Sequence, residues 1–161
     1  MRVGIGYDSH RFAEGEGRKL ILGGVEIPYS RGLVGHSDAD AVAHALTDAI
    51  LGAAGLGDIG QMFPPTDPRW RDADSLDLLK RAYLRVAEAG LSFVSADITV
   101  ILEQPKLARY LDDMRENLAG AVVSGYSMVS VKAKTNERMG WIGRGEGVAV
   151  LAVALLEQAR P

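Results

Sequence analysis

With 161 residues, 47% of them apolar and 24% charged, the chain has the composition of a globular protein and the length of a single domain, expected over residues 1–161. Its formal charge of −3 excludes a bulk positive field for nucleic acid or anionic lipid. The absence of cysteine excludes disulfides, thiolate catalysis and sulfur-ligated metal centres, so a metal here must use His, Asp or Glu. The opening MRVGIGYDSH lacks the pattern of a signal peptide, and the longest apolar run, Val148 to Leu156, is far shorter than the ~17–25 residues a membrane span needs. A cytoplasmic protein with no membrane and no nucleic-acid partner is expected.

In chain order, residues 2–7 alternate Val3, Ile5 and Tyr7 with small residues and predict a strand, as does the apolar stretch from Leu20 to Ile27, ended by Pro28. Ser37 reads as an N-cap, with Asp38 and Asp40 in the first turn of a helix over 38–54. Residues 55–74, rich in glycine and proline, predict a long loop, of the kind that is usually functional. A helix follows from Ser75 to Gly90, then a strand from Ala96 to Glu103, a helix from Lys106 to about Gly120, and a strand from Met128 to Lys134. Residues 135–147 predict a glycine-punctuated loop. Val148–Leu156 predicts a strand so apolar that both its faces need cover, which a small domain supplies poorly by itself and a homo-oligomer supplies readily.

All three histidines, His10, His36 and His44, lie in the first 44 residues, each near an aspartate. Asp8 and His10, two apart, share one face of a strand, and His44 lies on the first predicted helix. Asp8, His10 and His44 can then surround a divalent ion; two imidazoles and a carboxylate suit zinc and leave a fourth position open. The plainer alternative has His44 donating to Asp40 or Asp48, its neighbours at four-residue spacing. Gly35-His36-Ser37 enters the helix, where free N–H groups can receive a phosphate or merely be capped. The run from Lys132 to Gly147 carries Lys134, Thr135, Glu137 and Arg144 among glycines, which suits either a diphosphate with a magnesium ion or an ordinary turn. Asp58 and the loop from Phe63 to Pro68 admit plain turn chemistry.

The segments GIGYDSHRF (4–12), LGGVEIP (22–28), GLVGHSDAD (32–40), HALTDA (44–49), LGDIG (56–60), FPPTDP (63–68) and GRGEG (143–147) together resemble the 2-C-methyl-D-erythritol 2,4-cyclodiphosphate synthase family, in order and over essentially the whole chain. The resemblance implies an α+β, ferredoxin-like subunit, a mixed β-sheet with helices on one face, in a homotrimer with active sites between subunits. It implies Zn2+ on Asp8, His10 and His44, and Mg2+ or Mn2+ on Glu137 with the diphosphate of a cytidine-diphosphate substrate. His36 and Thr135 match the family's transition-state stabilisers. Substrate contacts are implied at Asp8, His10, His36, Ser37, Asp58, Ile59, Gly60, Phe63, Pro64, Pro65, Thr66 and Asp67. A second group falls on Leu102, Lys106, Leu107, Ala108, Ala133, Lys134, Thr135, Asn136, Glu137, Trp141 and Arg144. Pro65, Lys134 and Trp141 depart from the family's common acidic residue, Thr and Phe. The implied reaction is attack of a substrate phosphate on its own diphosphate with loss of CMP. A metallophosphohydrolase or a non-catalytic, metal-stabilised trimer are the competing readings of the same residues.

Overall fold

The computed structural model describes residues 1–15 and 17–159. The chain runs through β1 (Arg2–Arg11), a hairpin of β2 (Leu20–Leu22) and β3 (Val25–Ile27), α1 (Ala41–Ala54), the single turn α2 (Ile59–Met62) and α3 (Ser75–Glu88). It continues through β4 (Leu91–Ile101), α4 (Leu111–Ala121), β5 (Val129–Lys134), the single turn α5 (Gly140–Gly143) and β6 (Gly147–Gln158). The main sheet has the order β1-β6-β4-β5, antiparallel except for the parallel β4–β5 pair at one edge. Among the described residues no helix is long and apolar enough to cross a membrane.

The alternation along β1 decides how the layers meet. Gly4 and Gly6 point inward, and a Cβ on either would fall 2.0 Å from the carbonyl oxygen of Ala49 or 1.9 Å from that of Ala45. Only glycine lets α1 lie this close to the strand. The next inward residues of β1 are Asp8 and His10, and the first turn of α1 carries His44, so the same contact that packs the helix brings these three side chains to one place. On the same inner face, Ile98, Val100, Val131, Val148, Val150 and Leu156 are buried beneath the helices. Residues of the outer face alternate with them: Val3 and Ile5 are each 69% exposed, and Tyr7, Leu151 and Val153 are exposed too. The cover expected for β6 is thus present on one face only.

Asp40 fastens the small hairpin to α1. Its carboxylate, with no exposed surface, accepts from the N–H groups of Gly23 (2.8 Å), Gly24 (2.6 Å), Val42 (3.0 Å) and Ala43 (3.1 Å). Burial raises its pKa to about 6 against the pull of the Gly24, Ala43 and Gly23 N–H groups.

Several sequence expectations are corrected. The α+β class, mixed sheet and one-sided helices hold, but the ferredoxin-like connectivity does not: that motif runs β-α-β-β-α-β, whereas here β5 and β6 are consecutive and last. The continuous apolar residues of β6 draw it into the middle of the sheet, between β1 and β4. The N-cap of α1 is Asp40, not Ser37, so the helix begins at Ala41. Leu20 to Ile27 is a hairpin turned at Gly23-Gly24, both with positive φ, not one strand. β4 starts at Leu91, five residues early, because an extra residue at Val94 breaks the register between Phe93 and Ser95 and blurs the alternation. Residues 106–110 precede α4 instead of opening it: Leu107 turns into the core and Ala108–Tyr110 form a 3-10 turn. The 55–74 loop holds α2, capped by Asp58, and a 3-10 turn at Pro68–Trp70 capped by Asp67.

Gly6→Ala is expected to lose at least about 3 kcal/mol of stability by overpacking the β1–α1 contact, read as a lowered urea midpoint.

Candidate active site

β1 and α1 bring Asp8, His10 and His44 into direct contact. Asp8 Oδ2 lies 2.9 Å from His10 Nε2 and 3.1 Å from His44 Nδ1, and the two imidazole nitrogens are 3.4 Å apart. Zinc bonds of ~2.0–2.1 Å in tetrahedral geometry put neighbouring ligand atoms about 3.3 Å apart, so this donor set fits such an ion with little movement. Among the described residues these are the only three His, Asp or Glu side chains grouped this way, and no fourth joins them. The set can hold a divalent metal with one position open to a ligand. Burial pushes the Asp8 carboxyl up, but hydrogen bonds from His10 and His44 and their charge pull it down to about 2. Burial likewise works against a charged His10, yet its bond to Asp8 raises it overall. His10 Nδ1 donates to Val34 O at 2.6 Å, which leaves Nε2 as the metal-facing nitrogen. His44 Nε2 faces Ser75 Oγ at 2.8 Å and Ser37 Oγ at 3.1 Å. Neither Asp40 nor Asp48 takes the His44 ring: Asp40 caps α1 and Asp48 accepts the N–H of Ile59 at 2.8 Å.

The three ligands lie at the base of a cavity that also gathers His36, Ser37, Ile59, Gly60, Phe63 and Pro65. Its position follows from the path of the 55–74 loop, which is strapped back onto residues 36–38 by Asp72 N–H to His36 O (2.8 Å) and Asp38 N–H to Ala73 O (3.1 Å). His36 Nε2 lies 3.4 Å from Asp67 O. Pro64 and Asp67 shape the turn itself, with Pro64 O accepting from Asp67 N–H, while Asp58 caps α2 and Thr66 is exposed in the same turn. At the start of α1 the Val42 and Ala43 N–H groups are capped by Asp40, and Ser37 instead faces His44.

The remaining expected residues sit elsewhere. Leu102, Lys106, Leu107, Ala108, Ala133, Lys134 and Thr135 line a second hollow, and Lys106, Thr135 and Glu137 line a third beside it. Thr135 Oγ1 donates to Glu137 Oε1 at 2.9 Å. Through the pairs Asp8–Val150, Val150–Val100 and Val100–Ala133 this half lies three strands away from the first, about 14 Å at the usual spacing. Asn136 donates to Met139 O, Trp141 lies half-buried in α5, and Arg144 pairs with Glu146. The chain therefore does not bring His36 and Thr135 together.

A model described as the YgbB family matches residues 1–157. The chain belongs to the YgbB family. It is 55% identical over 156 residues to the 2-C-methyl-D-erythritol 2,4-cyclodiphosphate synthase of Moorella thermoacetica, covering 97% of this chain and 94% of that protein. The synthase of Symbiobacterium thermophilum is 56% identical over 156 residues, 97% of this chain and 98% of its own length. Among solved structures, the bifunctional IspDF of Campylobacter jejuni is similar with a TM-score of 0.92 and 46% identity over 98% of this chain, which spans 42% of that longer protein. A CDP complex of IspF from Plasmodium falciparum is similar with a TM-score of 0.85 and 32% identity, covering 99% of this chain and 97% of that one. The family resemblance read from the motifs is borne out.

In this YgbB-family chain, sequence reasoning missed Trp70 and Leu78, which complete the first cavity, and the backbone-bracing role of Glu103. Glu103 Oε1 accepts from the N–H groups of Asn136 and Arg138, each at 3.0 Å, and so holds Glu137 and Arg138 at positive φ (50° and 62°). Trp70 belonged to a visibly functional loop. Glu103 gave no signal, because it acts on backbone groups of a distant segment.

Equilibrium dialysis against Zn2+ followed by metal analysis is expected to find one ion per wild-type chain and at least about a tenfold loss of affinity in His44→Ala, with the fold retained.

Proposed function

We propose that this YgbB-family chain converts 4-diphosphocytidyl-2-C-methyl-D-erythritol 2-phosphate into 2-C-methyl-D-erythritol 2,4-cyclodiphosphate and CMP. The observation that carries the reading is the Asp8–His10–His44 cluster opening into a cavity, in a chain more than half identical to curated synthases over nearly its whole length. Asp8, His10 and His44 would hold Zn2+, and Glu137, a hard oxygen donor, Mg2+ or Mn2+ with the diphosphate. When bound, these ions supply charge neutralisation and polarisation of phosphoryl oxygens.

The chemistry asks little else of the side chains. An oxygen of the substrate's 2-phosphate forms a bond to the β-phosphorus, and the bond from that phosphorus to the oxygen bridging it to the α-phosphorus breaks, so CMP leaves with the electron pair. The nucleophile is already anionic at neutral pH, so no general base is needed. Positioning and charge stabilisation remain. His36 at the first cavity donates to developing charge on oxygen. The Thr135 hydroxyl, free to rotate from Glu137 to a phosphoryl oxygen, does the same from the other half. Ile59, Phe63, Pro65, Trp70 and Leu78 give the first cavity apolar walls. The mostly apolar hollow around Leu102, Leu107, Ala108 and Ala133 suits the cytidine, with the exposed Lys106 and Lys134 beside it.

The two halves require a neighbour. We infer a homotrimer in which the first cavity of one subunit faces the Thr135–Glu137 hollows of the next. Support comes from their separation across the sheet and from the exposed apolar outer face at Val3, Ile5, Tyr7, Leu151 and Val153, which a second copy of the chain would cover.

A ³¹P spectrum of the product is expected to show a cyclic diphosphate and no inorganic phosphate; the reverse would establish the hydrolase. His36→Ala and Thr135→Ala are each expected to lower kcat by ~10²–10³ in a CMP-release assay. His44→Ala and Glu137→Ala are expected to be nearly inactive alone, yet co-expressed in equal amounts to regain about a quarter of wild-type activity, because randomly mixed rings contain that share of intact junctions. Failure to complement would place both halves of each site in one subunit.

A further inference from the structure

Resting on the metal reading above, we propose that Ser75 and Asp38 are positioning residues, a relay that fixes the tautomer and aim of His44. His44 turns Nδ1 toward Asp8, so Nδ1 must keep its lone pair to bind a cation, and the ring proton then resides on Nε2. Nε2 needs an acceptor. Ser75 Oγ stands 2.8 Å away, and its own hydroxyl donates to Asp38 Oδ1. With that hydrogen committed, the lone pairs of Ser75 Oγ face the imidazole. The same carboxylate is fixed by a second bond, from Ser75 N–H to Asp38 Oδ2 at 3.0 Å. The direction follows: His44 Nε2–H donates to Ser75, and Ser75 donates to Asp38.

Two further features separate this role from a merely structural one. Ser75 is wholly buried, so no bulk water competes for the imidazole proton. It is also not the cap of α3: that task belongs to Asp74, whose Oδ1 accepts Leu76 N–H at 2.8 Å. The hydroxyl is therefore free of helix capping and committed to the imidazole. The carboxylate at the far end of the relay fixes the hydroxyl, and with it the aim of the imidazole, as carboxylates placed behind ligating histidines do. His10 meets the same need with the Val34 carbonyl, at 2.6 Å from its Nδ1.

The test measures Zn2+ affinity of the full chain by competition with a chromophoric chelator, with the visible spectrum of Co2+-loaded protein as a second readout and far-UV circular dichroism as the control for folding. Ser75→Ala is expected to remain folded, to bind zinc about 10–100-fold more weakly and to show an altered cobalt spectrum. Asp38→Asn shifts both readouts in the same direction and carries the test if Ser75→Ala does not fold. Ser75→Thr, which restores the hydroxyl, recovers most of the affinity. Ser37→Ala changes affinity less than about threefold, since that hydroxyl lies farther off and has no carboxylate behind it among the described residues. Wild-type affinity in folded Ser75→Ala or Asp38→Asn overturns the relay. A wild-type protein that binds zinc and makes no cyclic diphosphate overturns the functional reading instead, and the relay still stands or falls on the affinities.

Discussion

The approach of α1 to β1 over Gly4 and Gly6 is the constraint on which the molecule turns. A helix normally rides on side chains above a sheet, but here its carbonyls at Ala45 and Ala49 occupy the space where side chains would be. The metal ligands have short reach: an aspartate and two imidazoles converge only if the backbones carrying them are close. Two absent side chains thus set the distance between Asp8 and His44, and the pleat of the strand, which aims every second residue inward, sets the direction. The packing of the core and the geometry of the site are one arrangement.

That economy leaves the domain unfinished elsewhere. All the helices lie over one face, so the outer face of β1 and β6 keeps its apolar residues in water, while the outer face toward β5 carries the Lys132–Asp97 ion pair. The uncovered half and the half bearing a charged pair differ in what they can bury. Meanwhile the polar groups suited to a diphosphate are split between opposite edges of the sheet, a separation no side chain can bridge. An unburied apolar face and a divided site are two consequences of one sheet with helices on one side, and the proposed association of copies would resolve both.

Much of this was legible in the sequence because the informative features are local. Two-residue spacing placed Asp8 and His10 on one face, and the apolar run at Val148–Leu156 indicated a strand needing cover. What was illegible depends on contacts between distant segments. The cap of α1 is Asp40 because the Gly23-Gly24 turn presents two further N–H groups to the same carboxylate, a fact that no window around Ser37 contains. The ferredoxin-like order failed for a similar reason: consecutive strands need not be neighbours, and β6 crosses past β4 to reach β1. The bulge at Val94 hid the first residues of β4 by breaking the period on which strand recognition rests.

The long 55–74 segment shows how a loop without sustained regular structure can be well determined. Its start is tied to α1 by Asp48 accepting Ile59 N–H, and its end returns to residues 36–38 through two backbone bonds and the Asp38–Ser75 pair. Anchored at both ends, it supplies one wall of the cavity with Phe63 packed edge-on against Trp70, ring centroids 5.0 Å apart. Ser75, the residue after the loop, contacts the ring of His44. The wall that shelters a substrate and the group behind a metal ligand therefore belong to one continuous segment, and whatever displaces the end of the loop must also disturb the imidazole. On the proposed reading, the positioning of substrate and of metal is coupled through the chain itself, which lets a chain with three histidines and no cysteine build a phosphoryl-transfer site from few chemical groups.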